Sequence, residues 1–264
     1  MPLRIDITNR PVDPLKLDGL TISPDTHLVH SVVVLPETGS TNDVCRRLAE
    51  CGVLPTAVVA DHQTAGRGRL GRRWFAPPGA GLLVSVSIPH DRLPQGVCTL
   101  GLAAPLALVD AILETAGLSA FAKWPNDVLL NGRKTAGILI EDHSGFAVIG
   151  MGINVWQTPE DFPPDLRPYA TSITAEGGRI AGRAALLEAV LRHIRRRLYQ
   201  PPELLLRDRS AVEVTLGRSL IVQAGGRTLC GMGVGLEADG SLVIRLPDHT
   251  VQRVFAGDVS IRFD

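Results

Sequence analysis

The stretch of this chain with the clearest chemical character is residues 61–74, Asp-His-Gln-Thr-Ala-Gly-Arg-Gly-Arg-Leu-Gly-Arg-Arg-Trp. Glycine frees the backbone for unusual conformations and lets a ligand approach it closely. Arginine presents forked donors that suit phosphate or carboxylate oxygens and stay charged at any accessible pH. The stretch therefore predicts a cationic loop that is mobile without ligand and becomes ordered around an anion. A solvated basic loop without a ligand and a nucleic-acid-binding patch are the two general alternatives.

Three further stretches share this concentration of polar residues and glycine. They are Glu-Thr-Gly-Ser-Thr-Asn-Asp at 37–43, Lys-Trp-Pro-Asn-Asp at 123–127 with Lys-Thr-Ala-Gly-Ile-Leu-Ile-Glu at 134–141, and Gly-Met-Gly-Ile-Asn at 150–154. Only three of the 27 basic residues are lysines, and two of them, Lys123 and Lys134, lie in these stretches. A lysine offers a compact point charge where arginine offers a planar fork. The scarcity of lysine therefore indicates that these two positions need an ammonium group.

Taken together and in this order, the four stretches resemble the biotin protein ligases, which attach biotin to a lysine of a carrier domain. The resemblance extends over about residues 32–264. It implies an α+β fold in which a central mixed β-sheet catalytic domain, packed with helices, precedes a small SH3-like β-barrel at the C-terminus. Residues 1–30 are interrupted by proline and aspartate and are too short for a three-helix DNA-binding domain. The resemblance is therefore to the ligase-only type.

The resemblance also implies roles for individual residues. Biotin would be bound by Ser40, Thr41, Asn42, Gln63, Gly66, Arg67, Gly68, Arg69, Lys134 and Gly137. ATP and the adenylate would be bound by Arg67, Arg69, Arg72, Trp74, Asn126, Lys134, Gly150, Gly152 and Asn154. The catalytic residues would be Lys134, Arg67, Arg69 and Asp127, and Asp127 would also be the ligand of Mg²⁺, which prefers carboxylate oxygens.

The reaction implied for such a site has two steps. The biotin carboxylate attacks the α-phosphate of ATP to give biotinyl-5′-adenylate, and a lysine of the carrier then displaces AMP. The carrier would be the biotin carboxyl carrier protein of acetyl-CoA carboxylase, and both a monomer and a homodimer are open. Catalysis would rest on positioning and charge stabilisation. Two other functions are considered: a lipoate-type protein ligase, and a non-enzymatic nucleotide- or nucleic-acid-binding regulator.

Several of these residues also have a purely structural interpretation. Ser40 with Asp43 three positions later resembles a capping box at the start of a helix. Gln63 is equally typical of a solvent-facing loop. Lys134 and Asp127 fit an ordinary hairpin with a surface salt bridge.

Composition limits the classes of protein. Acidic and basic residues balance at 27 each, so the whole chain is not built to bind nucleic acid or an anionic membrane. Cys45, Cys51, Cys98 and Cys230 lack metal-ligand spacing, which indicates reduced thiols in a cytoplasmic protein. We expect no signal peptide in residues 1–20, which carry Asp6, Asp13 and Asp18 and no apolar segment. We also expect no membrane span, because the most apolar helical stretch, 97–118, contains Pro105, Asp110 and Glu114.

Local patterns predict the elements that position these residues. Strands are expected at 32–35, 56–60, 81–88, 128–130, 135–140 and 145–155, and helices at 95–116, at 182–199 and through Val44, Leu48 and Cys51 up to Gly52. Pro125 predicts an extended approach at 121–124 followed by a turn. The Asn131-Gly132 pair predicts a hairpin turn that brings Lys134 toward Asp127. The helix at 182–199 is expected to expose Arg192, Arg195, Arg196 and Arg197. Short alternating strands from Val212 to Phe263 predict a small antiparallel barrel. The predicted units are an N-terminal extension at 1–30, a catalytic domain at 31–208 and an SH3-like domain at 209–264.

Overall fold

The computed structural model describes residues 28–255 and 257–261. Its first half contains β1 (Ser31–Thr38), α1 (Thr41–Glu50), β2 (Thr56–Gln63), β3 (Gly81–Pro89), α2 (Leu100–Ala116), β4 (Phe121–Lys123), β5 (Asp127–Leu130), β6 (Arg133–His143) and β7 (Phe146–Asn154). Its second half contains α3 (Arg183–Leu198), α4 (Pro202–Ala211), β8 (Ser219–Ala224), β9 (Arg227–Leu236), β10 (Leu242–Arg245), β11 (Val251–Val254) and β12 (Asp258–Ile261). Most of the predicted extension at 1–30 lies outside the described residues, but Leu28 and Val29 are buried in the core.

The larger sheet has the strand order β1-β2-β3-β7-β6-β5-β4 within the described part of the chain. β1 and β2 are parallel, and the remaining neighbours are antiparallel, which confirms the predicted mixed sheet. β2 and β3 pair directly, so the Arg-Gly loop connects neighbouring strands, as expected. Asn131 and Gly132 both have positive φ, 48° and 77°, the conformation that favours Asn-Gly in a tight hairpin turn between β5 and β6.

Helices cover both faces of this sheet. α2 and α3 pack together and contribute to the large core that includes Ala57 and Val59 of β2. The intervening Val58 faces the other side and packs with Cys45 of α1 and Val148 of β7. Because side chains alternate along a strand, the next residues of β7 on the α1 face are glycines, at 150 and 152. The sheet therefore lacks side-chain volume immediately beyond the small α1 core.

α2 differs from its predicted start. A 3₁₀ turn occupies Val97–Thr99, and the α-helix begins at Leu100. Contrary to our expectation, the 20-residue stretch Val97–Ala116 is long and apolar enough to cross a membrane by length and composition alone. However, 67% of its most apolar window is buried inside the protein. A buried core helix passes the same test, so this is weak evidence for a membrane segment.

α3 exposes three of the four arginines that were expected on its surface, namely Arg192, Arg195 and Arg196. The prediction for Arg197 is wrong, because this residue is only 5% exposed. Its guanidinium donates to Asp110 of α2 at 2.7 Å and to Asp208 of α4 at 2.8 Å. A buried charge requires such partners, so Arg197 joins the three helices instead of facing water.

A second charged contact joins α2 and α3 near the surface. Glu114 accepts hydrogen bonds from Arg192 at 2.6 and 3.0 Å, and its Oε2 lies 2.8 Å from Nε2 of His193. These hydrogen bonds from Arg192 and His193 lower the pKa of the Glu114 carboxyl to about 2.

The C-terminal part forms a five-stranded antiparallel sheet within the described residues, in the order β11-β10-β9-β8-β12. This agrees with the predicted small SH3-like barrel. α4 spans the predicted boundary between the catalytic domain, 31–208, and the SH3-like domain, 209–264. Leu220, Val222, Leu242 and Ile244 of the second sheet belong to the same continuous cluster of buried apolar side chains as α2 and the large sheet. The two sheets therefore share one core.

All four cysteines are unpaired in the structure, in agreement with the prediction of free thiols. Cys45 is buried, and burial raises the pKa of its thiol to about 12. The other three are exposed.

Candidate active site

The four sequence stretches meet around one cavity of about 400 Å³ on the α1 face of the large sheet. Ser40, Arg67, Lys134 and Asn154, one from each stretch, all line it. Every other residue to which the resemblance assigned a role also lines the cavity, with the exception of Gly66. The segments that are distant in sequence thus form a common pocket.

Glycines form the floor of the cavity. Gly152 of β7 pairs with Gly137 of β6, and a Cβ at either position would approach the Trp74 ring closer than 3.0 Å. A Cβ at Gly150 would come closer than 3.0 Å to the Asn42 side chain. Both close contacts require the absence of a side chain. We call the region above Gly150 the amide side and the region above Gly152 the indole side; they lie two residues, or about 7 Å, apart along β7.

On the amide side, hydroxyl and amide groups of α1, β2 and β3 form a hydrogen-bonded cluster. Gln63 Oε1 accepts from the backbone N–H of Thr41 at 2.7 Å and from its hydroxyl at 3.0 Å. The buried Ser85 hydroxyl lies 2.7 Å from Thr41 Oγ1 and donates to Asn42 Oδ1 at 2.6 Å. Ser40 occupies the N-cap position of α1, but its side chain makes no capping hydrogen bond, so the capping-box interpretation is wrong. The Ser40 residue is buried and faces the cavity instead.

Two carboxylates hold Arg67 beside this cluster. Its guanidinium donates to both oxygens of Asp43, at 2.7 and 2.9 Å, and to Glu141 at 3.3 Å. Glu141 also accepts from Asn42 Nδ2 at 2.8 Å. The hydrogen bond from Arg67 lowers the pKa of Asp43, and the bond to Asp43 raises the pKa of Arg67. The arginine is therefore charged and tied to both α1 and β6.

The Arg-Gly loop has a defined conformation of its own. Arg67 and Arg73 form an antiparallel bridge, and the Trp74 N–H donates to the Gly66 carbonyl at 3.0 Å. Of the three loop glycines, only Gly71 has a left-handed φ, 73°. Gly66 is needed for close packing, because a Cβ there would lie 3.0 Å from the Trp74 carbonyl. Gly66 therefore serves the packing of the loop, although the resemblance placed it at the biotin site and it does not line the cavity.

On the indole side, Trp74 lies over the glycine floor with cationic and acidic groups around it. Lys134 Nζ is 5.6 Å from the Trp74 ring centroid and 2.6 Å from Asp127 Oδ1. Asn126 Nδ2 donates to the Ile138 carbonyl at 2.8 Å, which fixes the turn between β4 and β5. The indole N–H of Trp74 is buried and has no hydrogen-bond acceptor in the described part of the chain. This side of the cavity therefore offers a buried donor for which an acceptor on a ligand would be a partner.

Two arginines of the loop contact the C-terminal sheet. Arg69 donates to Asn126 Oδ1 at 3.4 Å and to the Gly257 carbonyl at 3.3 Å, and burial lowers its pKa. Arg72, expected close to phosphates, forms an ion pair with Asp258 of β12. Both arginines still line the cavity.

Asn154 lies at the edge of the same floor with its polar atoms already engaged. Its Nδ2 donates to the Thr171 carbonyl at 2.9 Å, and its Oδ1 accepts from Gln157 at 3.0 Å. The side chain that was expected at the ligand therefore also holds the chain between β7 and α3.

Several residues of the site were not identified from the sequence. Ser85, which supports Thr41 and Asn42 from behind the cavity wall, is a small polar residue within an apolar strand. Unpredicted lining residues come from the connection after β7 and from the C-terminal sheet, among them Phe162, Leu166, Tyr169, Ala170, Asp258, Val259 and Ser260. The C-terminal residues carry no local signal, because only the tertiary fold brings them to the cavity.

The donor set around Asp127 limits how a metal ion could be held. The described residues contain no group of three or more histidine, cysteine, aspartate or glutamate side chains close enough to hold a metal. Asp127 is one carboxylate at the cavity wall, with its side chain 24% exposed. One carboxylate completed by phosphate oxygens and water is a common environment for Mg²⁺, so the residues fit this ion together with a nucleotide.

The fold and cavity define a class of protein: this chain belongs to the biotin/lipoate A/B protein ligase family, whose model matches residues 34–156. It is 37% identical to the biotin–[acetyl-CoA-carboxylase] ligase of Mycobacterium tuberculosis over 86% of this chain and 87% of that protein. It is 32% identical to the bifunctional ligase/repressor BirA of Bacillus subtilis over 89% of this chain and 74% of that protein. The solved biotin protein ligase from Aquifex aeolicus in complex with biotin and ATP superposes with a TM-score of 0.76 at 29% identity, covering 89% of this chain and 100% of that one.

Proposed function

We propose that this protein is an ATP-dependent biotin protein ligase. It forms biotinyl-5′-adenylate from biotin and ATP and then transfers biotin to a lysine of a biotin carboxyl carrier protein. The observation that carries the proposal is one cavity in which a hydroxyl-and-amide cluster and a cationic, aromatic region lie about 7 Å apart on a glycine floor.

The amide side suits the ureido ring of biotin. Such a ring presents one carbonyl acceptor and two N–H donors, and hydroxyl and amide groups can serve both kinds. Ser40, Thr41, Asn42 and Gln63 supply these groups within a largely buried site. The polar character of this cluster favours biotin over lipoate, whose dithiolane ring and aliphatic chain need an apolar slot.

The indole side suits the nucleotide and the reacting carboxylate. Lys134 would stabilise negative charge as the carboxylate attacks the α-phosphate, with Arg67 and Arg69 binding the same anions from the loop. The unsatisfied indole N–H and the ring of Trp74 offer a donor and a stacking surface for the nucleotide. Asp127 and Asn126 would hold Mg²⁺ and the phosphates; bound there, Mg²⁺ neutralises phosphate charge.

The second step requires that the carrier lysine reaches the mixed anhydride while water does not. A cavity closed by the loop and the Phe162–Tyr169 segment would shield the adenylate from hydrolysis. We place the reaction in the cytoplasm, a location supported by four unpaired thiols.

The direct test is to incubate the protein with ATP, Mg²⁺ and biotin and to look for bound biotinyl-adenylate by mass spectrometry. A parallel reaction with lipoic acid, and isothermal titration with both acids, separates the two ligase specificities. Biotin-dependent adenylate, followed by labelling of an added biotin carboxyl carrier domain, is the expected result. Adenylate formed from lipoic acid alone, or salt-dependent nucleic-acid binding without ATP turnover, would refute the proposal.

Substitution of Lys134 by alanine tests the role of its charge. The Lys134 side chain is 35% exposed and pairs with a partly exposed Asp127, so the fold should survive its removal. We expect Lys134→Ala to abolish biotin-dependent exchange of pyrophosphate into ATP while the circular dichroism spectrum stays that of the wild type. Arg67→Gly should likewise impair adenylate formation or retention.

A further inference from the structure

Glu213, which lies outside the cavity lining, holds the backbone of the Lys-Trp-Pro-Asn-Asp segment. Its side chain is fully buried, just after the end of α4. Oε1 accepts from the backbone N–H of Trp124 at 3.0 Å, and from the N–H and hydroxyl of Thr215 at 3.0 and 2.7 Å. One carboxylate oxygen thus joins the cavity wall to the start of the C-terminal sheet.

Further hydrogen bonds support the same junction. β4 is the edge strand of the large sheet. Its residue Ala122 donates its N–H to the Val212 carbonyl at 2.9 Å and accepts at its own carbonyl from the Val214 N–H, also at 2.9 Å. The indole N–H of Trp124 donates to the Gly240 carbonyl in the C-terminal sheet at 2.9 Å. The chain around Glu213 therefore continues the sheet beyond its edge strand and sets where that strand ends.

The partner of Glu213 is a buried arginine. Arg209 is 1% exposed, and its Nη1 lies 2.5 Å from Glu213 Oε2. Removing two charges from water is costly, so a buried ion pair is a weak explanation for stability by itself. Arg209 does, however, provide the opposite charge beside Oε2, while Oε1 accepts the Trp124 N–H.

We propose that Glu213 is a positioning residue for the nucleotide-binding half of the cavity. By fixing the Trp124 backbone it sets the position of Asn126 and Asp127, two and three residues further on, which face the cavity with Lys134. This role requires a side chain long enough for its oxygen to accept the Trp124 N–H, and it depends less on the negative charge. The identity of the ligand as ATP rests on the proposed function.

The proposal predicts an effect on one substrate only. The amide side is built from α1, β2 and β3, which share no hydrogen bond with Glu213 in the described structure. Loss of the Glu213 contact should therefore weaken ATP use and leave biotin binding unchanged. General destabilisation would affect both.

Two double variants separate reach from charge. Arg209→Met/Glu213→Gln removes the ion pair but keeps an acceptor oxygen at the same distance. Arg209→Met/Glu213→Asn has the same charge and is one methylene shorter. We expect the glutamine variant to have a KM for ATP within about twofold of the wild type, and the asparagine variant to have a KM raised about tenfold, the effect typical of one lost hydrogen bond.

Glu213→Asp, which keeps the charge but loses the reach, should behave like the asparagine variant and provides a second measurement if that variant folds poorly. Arg197→Met, which breaks a buried pair far from the cavity, controls for stability and should leave the KM for ATP unchanged. Biotin affinity is measured in each case by titration without ATP. Wild-type ATP kinetics in Glu213→Asp, or equal weakening of ATP and biotin in the short variants, would overturn the proposal. Failure of the wild type to form any adenylate would instead refute the proposed function.

Discussion

The glycine floor provides a test of how the cavity is divided. Replacing Gly152 by alanine adds one methyl group directly beneath Trp74, at a position where the Cβ would lie closer than 3.0 Å to the Cε2, Nε1 and Cζ2 atoms of the ring. Real Cβ atoms essentially never approach other atoms so closely, so the indole must move. Because the ring also lies over Gly137, it can move only outward, into the space assigned to the nucleotide.

The size of the effect follows from the cost of overpacking. Adding a methyl group to a well-packed site costs about 1–3 kcal/mol. If the indole moves and that cost appears as lost nucleotide binding, the affinity for ATP falls by about 5- to 140-fold. The assay is the KM for ATP in pyrophosphate exchange at saturating biotin, together with the affinity for biotin alone by titration.

Gly150→Ala is the matched control, because it adds the same group two residues away on the same face of the same strand. There the Cβ would collide with Asn42, and we expect biotin affinity to fall by a similar factor while the KM for ATP changes little. If Gly152→Ala weakens biotin more than ATP, or if both alanine variants affect both substrates equally, the assignment of the two sides is wrong.

Three further results are expected. Ser85→Ala leaves Asn42 Oδ1 without its donor and should weaken biotin binding about tenfold at unchanged KM for ATP, as measured by titration and exchange kinetics. Asp43→Asn removes the charged bidentate partner of Arg67. Because that pair is partly exposed, the free energy of unfolding should change by less than about 1 kcal/mol. The release of adenylate in the absence of carrier, measured in a filter assay, should nevertheless accelerate several-fold. The hydrogen bonds from Arg192 and His193 lower the pKa of Glu114 to about 2 from its usual 4.5, so Glu114 contributes stability above pH 4.5 that is lost as the pH falls toward 2. The free energy of unfolding, measured with urea, should decline less steeply over that range in Glu114→Gln.

Much of the fold could be predicted because local chemistry determines it. The apolar runs at 56–60 and 81–88 indicated two buried strands, which pair in the structure, and Asn131-Gly132 indicated a tight turn whose positive φ angles the structure contains. The environment of Arg197 could not be predicted in the same way. Its neighbours in sequence are exposed arginines, and its burial depends on Asp110 and Asp208 from two other helices.

Some of the cavity residues could likewise be predicted from the sequence and others could not. Its sequence signals were unusual residues in short motifs, such as Lys134 in an arginine-rich chain, and those residues do converge. Ser85 and Asp258 gave no signal, because a serine in an apolar strand and an acidic residue near a strand end are common for structural reasons alone. Glu141 ends one of the motifs, but no role followed from its position there. The contacts of these three residues with Asn42, Arg72 and Arg67 depend on the tertiary fold.

The continuous apolar interior that the two sheets share has a practical consequence for experiments on this protein. Deletion of everything after α4 would remove buried side chains such as Leu220 and Leu242 and leave the apolar side chains of the same core around α2 facing water. A shortened chain that lost activity would then report poor folding as readily as a lost ligand contact. Single substitutions such as those at Glu213, made in the intact polypeptide, are the informative way to ask what the last fifty residues contribute.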